Sequence, residues 1–296
     1  MIILQATKLR RNSASKRKAV FSIIRKSREA TLGAILVTFI LVAAIVIGIA
    51  NLLNVQITPY DPLEQHVGPQ LAPPSWSHLF GTDLVGRDVF SRIVVATPND
   101  ISIGLVVVGT AITIGMIVGS FAAFRRGLID ELLMRFTDVI FALPALVIAM
   151  SIAIVLGPGV TNMMIVLIIV WWPPYARLAR GEALKVSQQN YIEAARFSGR
   201  GSIRIVLRHV LPNIFATMLA YATLDIGTVI LVYAGLSYLG LSVRPPYPDW
   251  GEMVSTYQDY LITAPWLAVF PGLIISTVVV GFSFLGDGIR DALGMR

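Results

Sequence analysis

The chain has 296 residues, 55% of them hydrophobic and only 14% charged, with a mean hydropathy of +0.74 and a formal net charge of +7. That balance is too apolar for an ordinary soluble domain and points to a membrane protein. The absence of cysteine excludes disulfides and thiolate metal sites, His66, His78 and His209 are too scattered for a metal centre, and the basic residues flank apolar runs, so no nucleic-acid partner is expected.

Residues 1–29 form a basic cytoplasmic segment with Leu9, Val20, Phe21, Ile23 and Ile24 interspersed. That pattern fits a helix lying on the anionic inner leaflet or a solvated basic tail. Residues 30–53 form the first of six apolar spans, an uncharged run longer than the core of a signal peptide. Crossing a bilayer takes about 20 apolar residues. Residues 54–100 form an outer loop with prolines at 59, 62, 69, 73 and 74, expected to be irregular. Residues 101–296 make a five-helix core with spans over Ile101–Phe124, Val139–Leu156, Val160–Tyr175, Ile214–Leu241 and Trp266–Leu285. Gly157-Pro158-Gly159 is a tight turn. The fourth span is short, and its end at Trp172-Pro173-Pro174-Tyr175 leaves a kink or an extension through Arg177 open. With the N-terminus inside, only Arg87, Arg92 and Arg244 of the 24 Lys and Arg residues fall outside. The positive-inside rule therefore sets both termini in the cytoplasm.

The cytoplasmic loop 176–213 differs in character from the spans around it. Glu182–Phe197 holds good helix formers without internal Gly or Pro, and Gly199 falls where a left-handed C-terminal cap belongs. A second helix is expected from Ser202, as N-cap, to His209. Pro212 then opens the fifth span, where a missing N–H is tolerated. Ala194 and Ala195 offer a low-profile surface that can enter a partner's groove, and Glu193 offers a charge to a basic residue there.

Tyr191-Ile-Glu-Ala-Ala-Arg-Phe-Ser-Gly199, followed by Val210-Leu211-Pro212-Asn213, resembles the EAA loop of ABC-importer permeases. Further stretches in the same order are similar to the second permease subunit of dipeptide, oligopeptide and nickel ABC importers. His78-Leu-Phe-Gly-Thr-Asp-Leu-Val-Gly-Arg-Asp88 resembles the family's GTD…GRD segment. Gly235-Leu-Ser-Tyr-Leu-Gly-Leu241 resembles the end of its fifth span, Pro245-Pro-Tyr-Pro-Asp-Trp-Gly-Glu252 its PP.P.WG loop, and Leu285-Gly-Asp-Gly-Ile-Arg-Asp-Ala-Leu293 its C-terminus. There are departures. Val95-Ala-Thr-Pro-Asn-Asp100 replaces a YGAR-like stretch, Tyr233 stands where an acid is common, Asp225 where a small residue is usual, and Gly294-Met295 where DP is usual.

The resemblance implies an all-α integral membrane protein with the type I ABC-importer permease architecture. It implies ATPase coupling through Tyr191, Glu193, Ala194, Ala195, Gly199, Leu211 and Pro212. Asp83, Arg87 and Asp88, together with Asp249, Trp250 and Glu252, read either as a landing site for an extracytoplasmic substrate-binding protein or as loops held by salt bridges and turns. Asp225 is an acid well inside a span, and costs about 2.5–3.5 kcal/mol to insert, so it faces the bundle or a wet cavity. It and Tyr233 are candidates for the translocation path, and a structural role stays open. Gly104, Gly109, Gly115 and Gly119 would let helices approach closely.

No G-x-x-x-x-G-K-[ST] loop or catalytic constellation is present. The chain is therefore expected to bind no cofactor, with ATP and Mg used by partner subunits. The implied partners are a second, related permease forming a heterodimer, two ABC ATPase subunits, a substrate-binding protein and the lipid bilayer of a prokaryotic plasma membrane. Peptides are the expected cargo, with oligosaccharides or a nickel chelate as alternatives. A carrier independent of ATP is the reading from another class, and only Asp225 speaks for it.

Overall fold

The computed structural model describes residues 27–294 apart from Arg126, Arg200 and Arg244. The expected interfacial helix therefore lies almost wholly outside the described residues. The helices in chain order are α1 (Arg28–Leu52), α2 (Val89–Arg125), α3 (Gly127–Phe141), α4 (Ala145–Leu156), α5 (Val160–Ser187), α6 (Asn190–Phe197), α7 (Ser202–Tyr238), α8 (Trp250–Tyr257) and α9 (Trp266–Ala292). Among the described residues there is no strand, only one antiparallel bridge between Thr82 and Asp88. Five of the helices are long and apolar enough to cross a membrane, and α3 with α4 makes a sixth if that bent pair is one span.

α2 packs along α5, α9 lies between α1 and α7, and α7 closes the bundle against α2. One core cluster, with Val107, Met163, Leu167 and Met218, fills the space between α2, α5 and α7; a second, with Val37, Trp250, Tyr257 and Phe282, runs from the outer loops down between α1 and α9. Lipid tails are as apolar as leucine, so in a membrane close packing holds such helices together rather than removal of area from water. Gly119 shows this most clearly. A Cβ there would sit 2.1 Å from the backbone oxygen of Ala176, so α2 and α5 meet nearly backbone to backbone. Gly104 and Gly115 also face neighbouring helices, whereas Gly109 has nothing within 4 Å, contrary to the expectation that all four are contact points.

Several expected boundaries move. The side-chain oxygen of Ser27 accepts from the Ala30 N–H at 3.3 Å and starts α1 at Arg28. The outer loop does not run to residue 100, because α2 begins at Val89 and continues through Pro98. The third span is not one straight helix over Val139–Leu156. It breaks at Ala142–Pro144, where α3 and α4 meet at 85°, and the 12 residues of α4 extend only about 18 Å. α3 is held by ion pairs to α5: Arg180 grips Asp130 with two bonds of 2.6 Å, and Arg177 pairs with Asp138. The fourth span extends through Pro173 and Pro174 to Ser187, as the extension reading allowed. The expected helix Glu182–Phe197 is interrupted at Gln188 and Gln189. The last span runs to Ala292 and the fifth ends at Tyr238.

The second helix of the cytoplasmic loop does not stop at His209. Gly201, not Ser202, is its N-cap, and it runs into the fifth span through a π-helical turn over Val206–Val210. Pro212 explains the turn: it donates no N–H and its ring crowds the carbonyl of residue 208, and a wider turn just before it relieves that clash.

Candidate functional site

α6 sits at the end of the bundle that the charge rule assigns to the cytoplasm. Its two faces differ. Ile192 is fully buried and Ala195 nearly so, packed with Ile205, Phe124 and Val186. These neighbours belong to the near ends of α7, α2 and α5, so the seat of α6 touches three long helices at once. Glu193, Ala194, Arg196 and Phe197 point outward. The alanine pair is thus split, with Ala194 on the open face and Ala195 in the seat, because residues one apart on a helix diverge by about 100°. Arg196 folds back, its guanidinium 4.5 Å from the centroid of the Phe124 ring.

The end of α6 is built as the glycine position required. Gly199 has φ +72°, a left-handed conformation that costs most residues energy but not glycine, and its N–H reaches the Arg196 carbonyl at 3.0 Å. Tyr191 ties the start of α6 to α7, its hydroxyl accepting from Asn213 Nδ2 at 3.2 Å. Partial burial disfavours the phenolate and raises the pKa of that hydroxyl above the ordinary tyrosine value. Leu211 packs on the core and Pro212 is exposed, so this pair follows the π-helical turn inside α7 and stands apart from the open face of α6. Sequence reasoning passed over Phe197, which is 89% exposed at the tip of α6.

At the opposite end the charged motifs are interior. Asp83, Asp88, Asp249 and Trp250 are all at most 1% exposed. This corrects the landing-site reading for those four side chains, which instead build the cap. Asp83 accepts from the N–H groups of Val85 and Arg87, from Arg87 Nε at 2.6 Å and from the Tyr257 hydroxyl at 3.0 Å. Burial holds the Tyr257 hydroxyl above the usual tyrosine range, which keeps it a donor. Asp88 receives the Ser91 N–H and hydroxyl at the start of α2 and lies 3.0 Å from His78 Nδ1. Asp249 caps α8 through the Glu252 N–H at 3.0 Å and accepts from Tyr233 and Ser237. Trp250 donates from its ring to the Ile93 carbonyl and from its backbone to Asp100, both at 3.1 Å. Arg92, buried, donates to the carbonyls of Pro62 and Pro246 and faces Glu252 at 3.9 Å. Both outer loops are thereby fastened to the head of α2. Arg87 and Glu252 alone of the six keep partial exposure.

The two candidates for a translocation path are held between helices. Tyr233 is 1% exposed and belongs to the cap, since Ser242 donates to its hydroxyl at 2.6 Å while that hydroxyl donates to Asp249. Asp225, half-buried on α7, accepts the Tyr175 hydroxyl of α5 at 2.8 Å. Tyr175 in turn backs onto Gly115 of α2. The acid therefore joins α5 to α7 where α2 also touches. Among the described residues no group of three or more His, Asp or Glu side chains is placed to hold a metal ion.

Residues 111–296 match the family described as "Binding-protein-dependent transport system inner membrane component". The chain is 41% identical over 234 residues to the probable D,D-dipeptide transport system permease protein DdpC of Escherichia coli (strain K12), covering 79% of this chain and 78% of that protein. It is 37% identical over 277 residues to the dipeptide transport system permease protein DppC of Alkalihalophilus pseudofirmus, covering 93% and 88%. It is 41% identical over 220 residues to the glutathione transport system permease protein GsiD of Escherichia coli O157:H7, covering 74% and 73%. Its fold is similar to a chain of the inward-facing MetNI methionine ABC transporter, with a TM-score of 0.57 at 17% identity, covering 70% of this chain and 97% of that one.

Proposed function

This chain belongs to the binding-protein-dependent transport inner membrane components, and from that premise we propose that it forms half of an ATP-driven import path for short peptides. It is a type I ABC-importer permease subunit, a multi-pass membrane protein that works with an ATPase and a substrate-binding protein and is not itself catalytic. In the proposed assembly its counterpart is a second, related permease, in a prokaryotic plasma membrane with both termini inside. Two ATPase subunits hold the ATP and Mg, and the binding protein delivers cargo from outside. The names of the dipeptide and glutathione relatives support a peptide cargo.

The observation that carries the coupling role is the two-faced α6. Its outer face, with Glu193, Ala194 and Phe197, is free to enter a groove on an ATPase, while Ile192 locks its inner face to the ends of α2, α5 and α7. When the ATPases close on ATP, displacement of α6 passes through that seat to three long helices as a rigid-body movement that turns the cavity outward. Hydrolysis releases it inward. The outer cap moves with the head of α2 as one body and presents its backbone and rim, rather than its buried carboxylates, to the binding protein.

The test is Gly199→Asp in the whole complex reconstituted in proteoliposomes. Nothing lies within 4 Å of the added Cβ, so the bundle stays inserted, while the φ of +72° strains the end of α6. ATP hydrolysis should continue without matching uptake; wild-type coupling would overturn the assignment. Cargo is read separately, by thermal shift of the binding protein with short peptides, oligosaccharides and nickel chelates.

A further inference from the structure

Beside the seat of α6 lies an open cleft of about 930 Å³ that the coupling contact does not fill. Three arginines line it, Arg125 at the end of α2 and Arg204 and Arg208 on the first turns of α7, together with Ser202, Ile203 and Leu207. No Asp or Glu lines it, and among the described residues none of the three arginines has a carboxylate partner. Like charges gathered at one cleft repel one another, and an anion between them reverses the sign of that interaction. The cleft also has an apolar side. Ile203 is 61% exposed and Leu207 60%, one helical turn apart, while Arg204 and Arg208 form a parallel row beside them.

The depth of the cleft says which anion fits. Ile101–Phe124 carries no charge and extends about 36 Å as a helix, slightly more than the roughly 30 Å hydrocarbon core. Arg125, the next residue, emerges at the headgroup level of the cytoplasmic leaflet. A ligand there must offer a negative group to three guanidinium ions and apolar chain to Ile203 and Leu207. We propose that this cleft binds the phosphate headgroup of an acidic phospholipid of the cytoplasmic leaflet. An acidic patch on an ATPase matches the charge equally well, but the position of Arg125 at the end of an uncharged span favours lipid. The bound headgroup would bridge α2 to α7 next to Phe124 and Ile205, which seat α6.

The experiment is native mass spectrometry of the complete transporter released from nanodiscs of phosphatidylglycerol or phosphatidylcholine. The wild type is expected to retain phosphatidylglycerol selectively. Removing one arginine by Arg208→Gln should lower its affinity about fivefold, and the triple change Arg125→Gln, Arg204→Gln, Arg208→Gln about a hundredfold. The corresponding triple change to lysine should keep most of the binding. No preference for the acidic lipid, or unchanged retention in the triple glutamine variant, overturns the proposal. So does a triple variant that sheds its ATPase subunits while keeping the lipid, which would make the cleft a protein contact. Displacement of the lipid by tens of millimolar inorganic phosphate would assign the site to a soluble phosphate instead. Should the triple variant fail to insert, a photoreactive phosphatidylglycerol on the wild type decides the matter, since it must label the peptide containing residues 201–208.

Discussion

Ile192→Ala tests the seat of α6 most directly. Ile192 is fully buried among Ala195, Ile205, Phe124 and Val186, and α6 is only eight residues long, too short to persist as a helix without its packing. Truncation removes three carbons at about 0.8 kcal/mol each and leaves a cavity, a loss of about 2–4 kcal/mol. A factor of ten is about 1.4 kcal/mol, so the ratio of seated to unseated α6 falls roughly 30- to 900-fold. The long helices do not depend on this contact, so the variant should insert and assemble. Two readouts follow in the reconstituted complex. Amide exchange across residues 190–199 should accelerate, and uptake per ATP hydrolysed should drop well below wild type. Ile192→Val, which keeps most of the side chain and costs about 0.5–1.5 kcal/mol, should fall in between. Rapid exchange with unchanged uptake per ATP would refute the claim that force passes through this seat, and unchanged exchange would refute the energetics.

Three further outcomes are expected. Gly119→Val places atoms about 2 Å from a backbone oxygen that cannot step aside, so α2 and α5 must separate at a cost of at least about 2–3 kcal/mol; Gly109→Ala, with nothing within 4 Å, should leave thermal stability in detergent unchanged. Asp249→Ala removes the cap of α8 and strands the buried hydroxyls of Tyr233 and Ser237, a loss of about 3–5 kcal/mol visible as a lower melting temperature and faster proteolysis of the outer loops. Tyr175→Phe strands Asp225 between helices at a cost of about 1–3 kcal/mol, whereas Asp225→Asn can still accept from the Tyr175 hydroxyl and should keep near-wild-type stability and uptake; equal damage from both changes would show that the charge of Asp225 itself matters.

What could be read from the chain alone divides along a physical line. Most of the uncharged runs and the left-handed turn at Gly199 are local, and they survive in the structure because a membrane helix or a left-handed cap is decided by neighbouring residues. The break between α3 and α4 has a local signal in Pro144, but the seating of α3 on α5 depends on partners far along the chain. Asp130 and Asp138 look like ordinary loop acids until α5 brings Arg180 and Arg177 to them some 40–50 residues later. The burial of the outer carboxylates was not legible for the same reason, since Asp83 meets Tyr257, 174 positions away. A local signal was available there nonetheless: Asp249-x-x-Glu252 is the spacing of a helix N-cap, and Asp88 stands three residues before Ser91 in the same register. Asp88 and Asp249 are therefore helix caps first, and capping aspartates are spent on backbone N–H groups. The surface left for a binding protein is therefore made of the loop backbones they fix in place. A docking mutant sought among exposed positions such as Trp76, 98% exposed on that loop, is better aimed than one among the conspicuous carboxylates.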